Sequence, residues 1–184
     1  MFDKALLDAR LDMWAEKKNL AGVSAYIAGP NGCEYAWNYG FRDAAQSLCP
    51  DSDTMYGIAS MSKSITALCA CILECEGKLR LDDPVSQYLP AFSVPGQPKE
   101  AVTVRHLAMH TAGIPPMEPL EWSIAMNSED RSESEWLLAM RKSAPNRMET
   151  IEQVIDYIAN CKYHTLGAPG EVMSYSNEGY AILS

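Results

Sequence analysis

A largely apolar stretch, residues 60–76, constrains the fold of this chain more than any other feature. Ser60 and Lys63 stand at its start, and it contains no glycine or proline before Gly77. This pattern predicts a helix that begins near Ser60 and ends at the glycine. A helix that is apolar almost all round is typical of a protein interior. We therefore expect this helix to be buried at the centre of the fold.

Ser60 and Lys63 are three residues apart, so on a helix they share a face and their side chains can meet. Burial disfavours the charged form of a lysine and lowers its pKa. A neutral lysine beside a serine is a base beside a nucleophile. The S-x-x-K triplet alone is weak, because roughly one chance match is expected in a chain of this length. Its significance depends on the rest of the sequence.

Composition indicates an ordinary globular protein. The 184 residues are 47% hydrophobic and 21% charged, which is enough for one domain with a hydrophobic core. The net charge of −9 argues against nucleic acid or an anionic membrane as a partner. Acidic residues within the first 16 positions are untypical of a secretory signal, and no segment is long and apolar enough to span a bilayer. We expect a cytoplasmic location unless a leader has been removed, and no cofactor.

The sequence gives little support for disulfides or a metal site. Three of the six cysteines crowd the predicted helix, so we expect reduced thiols packed in the core. The cysteines are residues 33, 49, 69, 71, 75 and 161. His106 and His110 have an i,i+4 spacing that can hold zinc, but Leu107 follows the first and no third ligand is evident. We expect structural roles for both histidines.

Periodicity and turn residues predict a mixture of helices and one hairpin within a single domain, residues 1–184. Residues 1–59 would form an N-terminal helix and hairpin, and residues 60–184 the Ser60 helix and a helical region. The predicted helices are 2–18, 60–76, a short helix at Pro84 capped by Asp82 or Asp83, 103–110 capped by Thr103, 132–142, 148–161, and one from 178 to the end; the strands are 22–28 and 33–41.

Several segments, in this order, resemble one family. Ser60 to Lys63 matches its nucleophile motif and Tyr175 to Asn177 its Y-x-N motif, while residues 81–90 and 103–113 resemble its connecting segments. The sequence thus resembles the class C β-lactamase-like serine hydrolases, which include class C β-lactamases, DD-carboxypeptidases, D-aminopeptidases and β-lactamase-type esterases. The resemblance runs nearly end to end, but only over the N-terminal part of a family member. It implies an α+β, β-lactamase/transpeptidase-like sandwich whose C-terminal sheet strands are missing here.

The resemblance also implies roles for four residues. Ser60 would be the nucleophile and form an acyl-serine, and Lys63 would accept its proton. Tyr175 would act as phenolate or proton relay, and Asn177 would orient Lys63 or bind the substrate. The substrate would be a small-molecule ester, amide or β-lactam.

The sequence departs from the family in one respect. The third motif, a Lys- or His-containing triplet ending in Gly, is absent from the sequence. That motif lies on a strand that also supplies an oxyanion-hole amide. We therefore expect a further C-terminal segment to carry it, and we expect this chain alone to be impaired. The apolar, helix-like end at residues 179–184 likewise predicts part of a longer protein.

A different class of function stays open. The same fold could serve as a non-catalytic binding or sensory domain, or the chain could be a truncated pseudo-enzyme. The missing third motif favours this alternative. Among the enzymatic readings, the expected cytoplasmic location favours an esterase or peptidase over a true β-lactamase.

Overall fold

In a computed structural model, residues 3–115, 117, 138, 148 and 150–184 are described. Contacts divide the chain into two units, Met1–Ile58 and Ala59–Ser184. The elements are α1 (Lys4–Lys17), β1 (Gly22–Gly29), β2 (Gly32–Gly40), a 3-10 turn (Ala59–Met61), α2 (Ser62–Cys75), α3 (Val85–Tyr88), α4 (Val104–Ala108), α5 (Ile151–Ala159) and α6 (Asn177–Leu183). The predicted helix over 132–142 falls outside the described residues, apart from Leu138. None of the helices in the described part of the chain is long and apolar enough to cross a bilayer.

Helix α1 has clear signals at both ends. The Asp3 carboxylate accepts a hydrogen bond from the Leu6 amide at 3.1 Å, which caps the first turn. At the other end Asn19 adopts a left-handed conformation with φ of 49°. The amides of Asn19 and Leu20 donate to the carbonyls of Glu16 and Ala15. This is a Schellman motif, in which asparagine takes the place usually held by glycine.

Strands β1 and β2 form the predicted antiparallel hairpin, with a bulge between Ile27 and Ala28. Tyr35 and Trp37 lie on the same face of β2 and are both buried. The Tyr35 hydroxyl donates to Asp8 at 2.6 Å, and the Trp37 indole donates to Asp12 at 3.0 Å. Both aspartates belong to α1, so the helix covers this face of the hairpin. Burial, together with the Asp8 carboxylate, raises the pKa of Tyr35 to about 12.

The second unit has its own core. Its most deeply buried side chains come from the segments around α3 and α4 and from α5: Phe92, Val102, Ile114 and Ile158. Helix α3 forms at the predicted place, but the predicted aspartate cap is wrong. The Val85 amide donates instead to the Val102 carbonyl at 2.9 Å. Pro84 and Thr103 pair in an isolated β-bridge. Because the neighbouring segment already satisfies this amide, the helix needs no side-chain cap there.

The expected burial of α2 is wrong. Only Ala70 is buried, whereas Ile65, Leu68 and Ile72 are 56%, 58% and 47% exposed. An apolar sequence indicates which surface a helix can bury, but that surface is buried only if another element packs against it. Among the described residues, other elements pack only against the side of α2 that carries Ala70.

The expected core packing of the cysteines is wrong for the same reason. All six cysteines are free, and five are exposed, including the three on α2. Cys161 is half-buried and packs against the core of the second unit.

Candidate active site

Ser60 lies in the 3-10 turn that leads into α2, not in the α-helix itself. The preceding residue, Ala59, has a φ of 45°. A left-handed conformation is unfavourable for a residue with a Cβ, and such strain in proteins clusters at functional sites. Ser60 is exposed. The turn therefore presents the serine hydroxyl to solvent at the N-terminal end of a 14-residue helix.

Tyr175 and Ser60 are in direct contact, although they are 115 positions apart. The tyrosine hydroxyl donates a hydrogen bond to Ser60 Oγ at 2.7 Å. Lys63, and then Ser60, lower the pKa of Tyr175 below the usual value for a phenol, because both stabilise the ionised phenol as hydrogen-bond donors. A phenol with a lowered pKa is better able to exchange a proton with the serine near neutral pH.

Lys63 is the centre of the polar contacts. It lies in the first turn of α2 and is half-buried. Its ammonium donates to Asn177 Oδ1 at 2.7 Å. The Nζ atom lies 4.8 Å from the ring centroid of Tyr175 and 5.6 Å from that of Tyr180, within the range of a cation–π contact. The structure thus brings together all four residues that the sequence predicted: Ser60, Lys63, Tyr175 and Asn177.

Asn177 is positioned by the start of α6. Ser176 is the N-cap of this helix, and its hydroxyl accepts a hydrogen bond from the Gly179 amide at 2.8 Å. Ser176 and Glu178 are both buried, and the serine hydroxyl donates to the glutamate at 3.3 Å. Asn177 is therefore the first helical residue rather than part of a loop, and the cap fixes its backbone.

Two aromatic residues complete the surroundings of Lys63: Tyr180, which received no role in the sequence analysis, and His110, for which we expected a structural role. The Tyr180 hydroxyl donates to the Ala108 carbonyl at the end of α4, at 2.7 Å. The His110 ring contacts the rings of both Tyr175 and Tyr180, with centroid distances of 4.5 and 4.8 Å. Burial, and then the charge of Lys63, lower the pKa of His110. The i,i+3 spacing of Asn177 and Tyr180 could have indicated Tyr180, but no local pattern indicates the stacking of His110.

His106, the other histidine of this segment, has the structural role that we expected. Thr103 caps α4, and the Thr103 amide donates to Nδ1 of His106 at 3.1 Å, which forms a capping box. Within the described part of the chain, no group of three potential metal-ligating side chains occurs.

The side-chain amide of Gln97 connects its own loop to the loop that contains Thr165 and Gly167. Its amide nitrogen lies within hydrogen-bond distance of Thr165 Oγ1, at 2.6 Å, and of the Gly167 carbonyl, at 3.0 Å. Gly113 adopts a φ of 73°, and a Cβ there would lie 2.3 Å from Gln97 Nε2. Only glycine fits this close approach without displacing its neighbours.

The chain is similar to one protein family and to several known proteins. The family model described as Beta-lactamase matches residues 5–184. Penicillin-binding protein 4* of Bacillus subtilis (strain 168) is 29% identical over 150 residues, which are 82% of this chain and 28% of that protein. The structure of the octameric penicillin-binding protein homologue from Pyrococcus abyssi aligns with a TM-score of 0.76 and 28% identity, covering 99% of this chain and 38% of that one.

A class C beta-lactamase has the same fold. It aligns with a TM-score of 0.71 and 22% identity over 98% of this chain and 42% of its own. The expected α+β, β-lactamase/transpeptidase-like fold is therefore confirmed. This chain spans less than half the length of each of these proteins. The matched family model, which takes in almost every residue, establishes that the chain belongs to the Beta-lactamase family, whose fold is that of serine hydrolases.

Proposed function

We propose that this chain supplies the nucleophile, base and tyrosine of a serine hydrolase or acyltransferase that acts through an acyl-Ser60 intermediate. The observation that carries the proposal is the 2.7 Å hydrogen bond between the Tyr175 hydroxyl and Ser60 Oγ. A positioned base within hydrogen-bond reach of a hydroxyl is the basic requirement for nucleophilic catalysis. The substrate class is a small-molecule ester, amide or β-lactam.

The first half of the proposed reaction transfers the acyl group to Ser60. Ionised Tyr175, or Lys63 in its unprotonated form, takes the serine proton while Oγ forms a bond to the substrate carbonyl carbon. The carbonyl oxygen of the tetrahedral intermediate carries the negative charge, which the Ser60 amide and the start of α2 help to stabilise. The bond from this carbon to the leaving nitrogen or oxygen then breaks. The leaving atom receives the serine proton, either from Tyr175 or from Lys63 through Tyr175.

The second half releases the acyl group. Water, or another acceptor, loses a proton to Tyr175 and attacks the carbonyl carbon of acyl-Ser60. The ester bond to Oγ breaks, and the serine regains the proton. Asn177 holds Lys63 through their 2.7 Å hydrogen bond, which keeps the lysine side chain near the phenol during both halves. A lysine charge at this position favours ionised Tyr175, in accordance with the lowered pKa of that residue.

We further propose that the chain alone is impaired. The third motif of the resembling family is absent from the sequence, and that motif would contribute the second oxyanion donor. Loss of one such donor typically costs about 10²–10³ in rate. A further C-terminal segment carrying this motif is the partner that we expect to restore full activity.

Burst kinetics test the proposal. Excess p-nitrophenyl acetate should give a burst of p-nitrophenol of up to one equivalent per chain, followed by slow turnover. Ser60→Ala should abolish the burst, whereas Ser62→Ala, two residues further along, should retain it. A burst of equal size in Ser60→Ala would contradict Ser60 as the nucleophile.

The alternative is a binding domain without catalysis. It predicts saturable binding of a penicillin, measured by calorimetry, with no covalent adduct and no p-nitrophenol burst from wild type.

A further inference from the structure

His110 contacts the chain on both sides of Tyr175. Its backbone carbonyl accepts a hydrogen bond from the Ser174 amide at 2.8 Å. Its ring nitrogen Nδ1 accepts one from the Ser176 amide at 3.0 Å. The two residues that flank the tyrosine are thus both bound to the same histidine. A displacement of His110 would therefore also displace the backbone of Tyr175.

The histidine ring also contacts the tyrosine side chain. The centroids of the His110 and Tyr175 rings are 4.5 Å apart at an interplanar angle of 31°, and those of the His110 and Tyr180 rings are 4.8 Å apart at 39°. Backbone and ring contacts therefore act together. They fix both the position of the Tyr175 backbone and the direction in which its phenol points.

The backbone of His110 is itself unusual. It has a φ of 58°, just after α4 ends at Ala108. A left-handed conformation at a non-glycine residue is uncommon and is retained when the surrounding contacts require it. This conformation lets one residue present both its carbonyl and its Nδ1 atom to the same neighbouring segment.

We propose that His110 is a positioning residue for the reaction, which uses neutral imidazole with the proton on Nε2 to hold Tyr175 against Ser60 and Lys63. The inference rests on the proposed function for its catalytic consequence. Its structural part, the tautomer and its effect on Tyr175, stands independently of any activity. Nδ1 must be unprotonated to accept the Ser176 hydrogen bond.

Protonation of His110 would release the tyrosine segment. A proton on Nδ1 would face the Ser176 amide, so two donors would oppose each other. The groups that face the ring are Lys63 from α2, Tyr175 from the adjoining segment and Tyr180 from α6. The charge of Lys63 opposes a second positive charge at His110, and burial acts in the same direction. The site therefore favours the neutral ring.

Two substitutions separate the contributions of the acceptor and the ring. His110→Asn keeps an acceptor atom near the position of Nδ1, and asparagine tolerates the left-handed backbone. His110→Phe keeps an aromatic ring but has no acceptor. His106→Phe is the matched control, because it removes a histidine acceptor from the same segment at a site where the partner is Thr103.

The first readout is the ionisation of Tyr175, followed by NMR of ¹³Cζ-labelled tyrosine and assigned with Tyr175→Phe. We expect a lowered pKa in wild type, in His110→Asn and in His106→Phe. In His110→Phe we expect the pKa to return toward the ordinary value of about 10. An unchanged Tyr175 pKa in a folded His110→Phe variant would overturn the proposal.

The second readout is kinetic. His110→Phe should slow the p-nitrophenol burst about tenfold, which corresponds to the loss of one hydrogen bond, and His110→Asn should restore most of the rate. Wild type should lose its burst rate in acid as His110 becomes protonated, and His110→Asn should lack that acidic loss. Equal pH profiles for the two proteins would overturn the proposed role of the neutral ring.

The two proposals fail in distinguishable ways. If no burst occurs in any variant, the proposed function fails, but NMR of the imidazole still tests the inference. A neutral His110 with the Nε2–H tautomer near pH 7 supports the inference. An Nδ1–H tautomer or a protonated ring at that pH overturns it.

Discussion

The two sides of the candidate site are held in very different ways. The nucleophile side, residues 59–75, presents Ser60 and Lys63 from a helix with only one buried residue. The tyrosine side, residues 174–183, presents Tyr175 and Asn177 from a segment bound to His110 and Ala108, and Ser176 and residues 178–180 are buried. Within the described residues of this unit, the tyrosine side is thus held by more hydrogen bonds and more burial than the nucleophile side.

This difference indicates which contacts fix the relative positions of the side chains in the site. Two hydrogen bonds cross between the sides, from Tyr175 to Ser60 and from Lys63 to Asn177, each of 2.7 Å. Because the apolar face of α2 is exposed, these polar contacts have a large part in fixing the nucleophile within the described residues. Changes on the nucleophile side should therefore affect chemistry more than folding, and changes on the tyrosine side should affect both.

Removing the lysine should produce the largest effect. Lys63→Met keeps much of the side-chain volume but removes the ammonium that contacts Asn177 and Tyr175. We expect the burst rate to fall about 10²–10⁴-fold, the usual contribution of a proton-transfer group. The Tyr175 pKa should rise, because Lys63 is the main cause of its lowering. Lys78→Met is the control, since Lys78 pairs with the exposed Glu76; an equal loss in both variants would contradict the assignment.

The next largest effect should be a difference in the free energy of unfolding between a substitution on the tyrosine side and one on the nucleophile side. Ile182→Ala removes a buried side chain from α6 and should reduce the free energy of unfolding by about 2–5 kcal/mol. Leu68→Ala removes an exposed side chain from α2 and should change it by less than ~0.5 kcal/mol. Urea unfolding of both variants measures the difference. A large loss in Leu68→Ala would mean that another surface covers α2.

Helix caps give a smaller effect. Ser176→Ala removes the cap of α6, and Thr150→Ala removes the cap of α5. Each should reduce the free energy of unfolding by about 1 kcal/mol. Only Ser176→Ala should also slow the burst, because Ser176 lies between Tyr175 and Asn177. Similar kinetics in the two variants would show that the tyrosine side does not depend on its cap.

The smallest effect concerns pH. His106 and His110 both have lowered pKa values, mainly through burial. The unfolded chain, with ordinary histidines, therefore binds more protons in the range below about 6.5. The free energy of unfolding should be highest at neutral pH and should fall as the pH drops through this range. His110→Asn should reduce the slope of that fall in urea unfolding, and an unchanged slope would exclude a contribution from His110.

Sequence reasoning predicted the four residues that the structure brings together, because their signals are local. The S-x-x-K and Y-x-N motifs name the four residues directly, and caps such as Thr103 mark the beginnings of helices. Burial of α2 was not predictable, since it depends on what packs on that helix rather than on its own sequence. The contacts of His110 were not predictable either, because they depend on Ser176, 66 positions away, and on a left-handed backbone.

Denaturing intact mass tests the central claim most directly. The chain has a mass of 20.3 kDa, and it would be measured before and after incubation with a p-nitrophenyl ester and with a penicillin. Our account predicts one acyl increment that is lost in Ser60→Ala and retained in Ser62→Ala. The absence of an increment with either reagent, or an increment that persists in Ser60→Ala, would contradict an acyl-Ser60 intermediate.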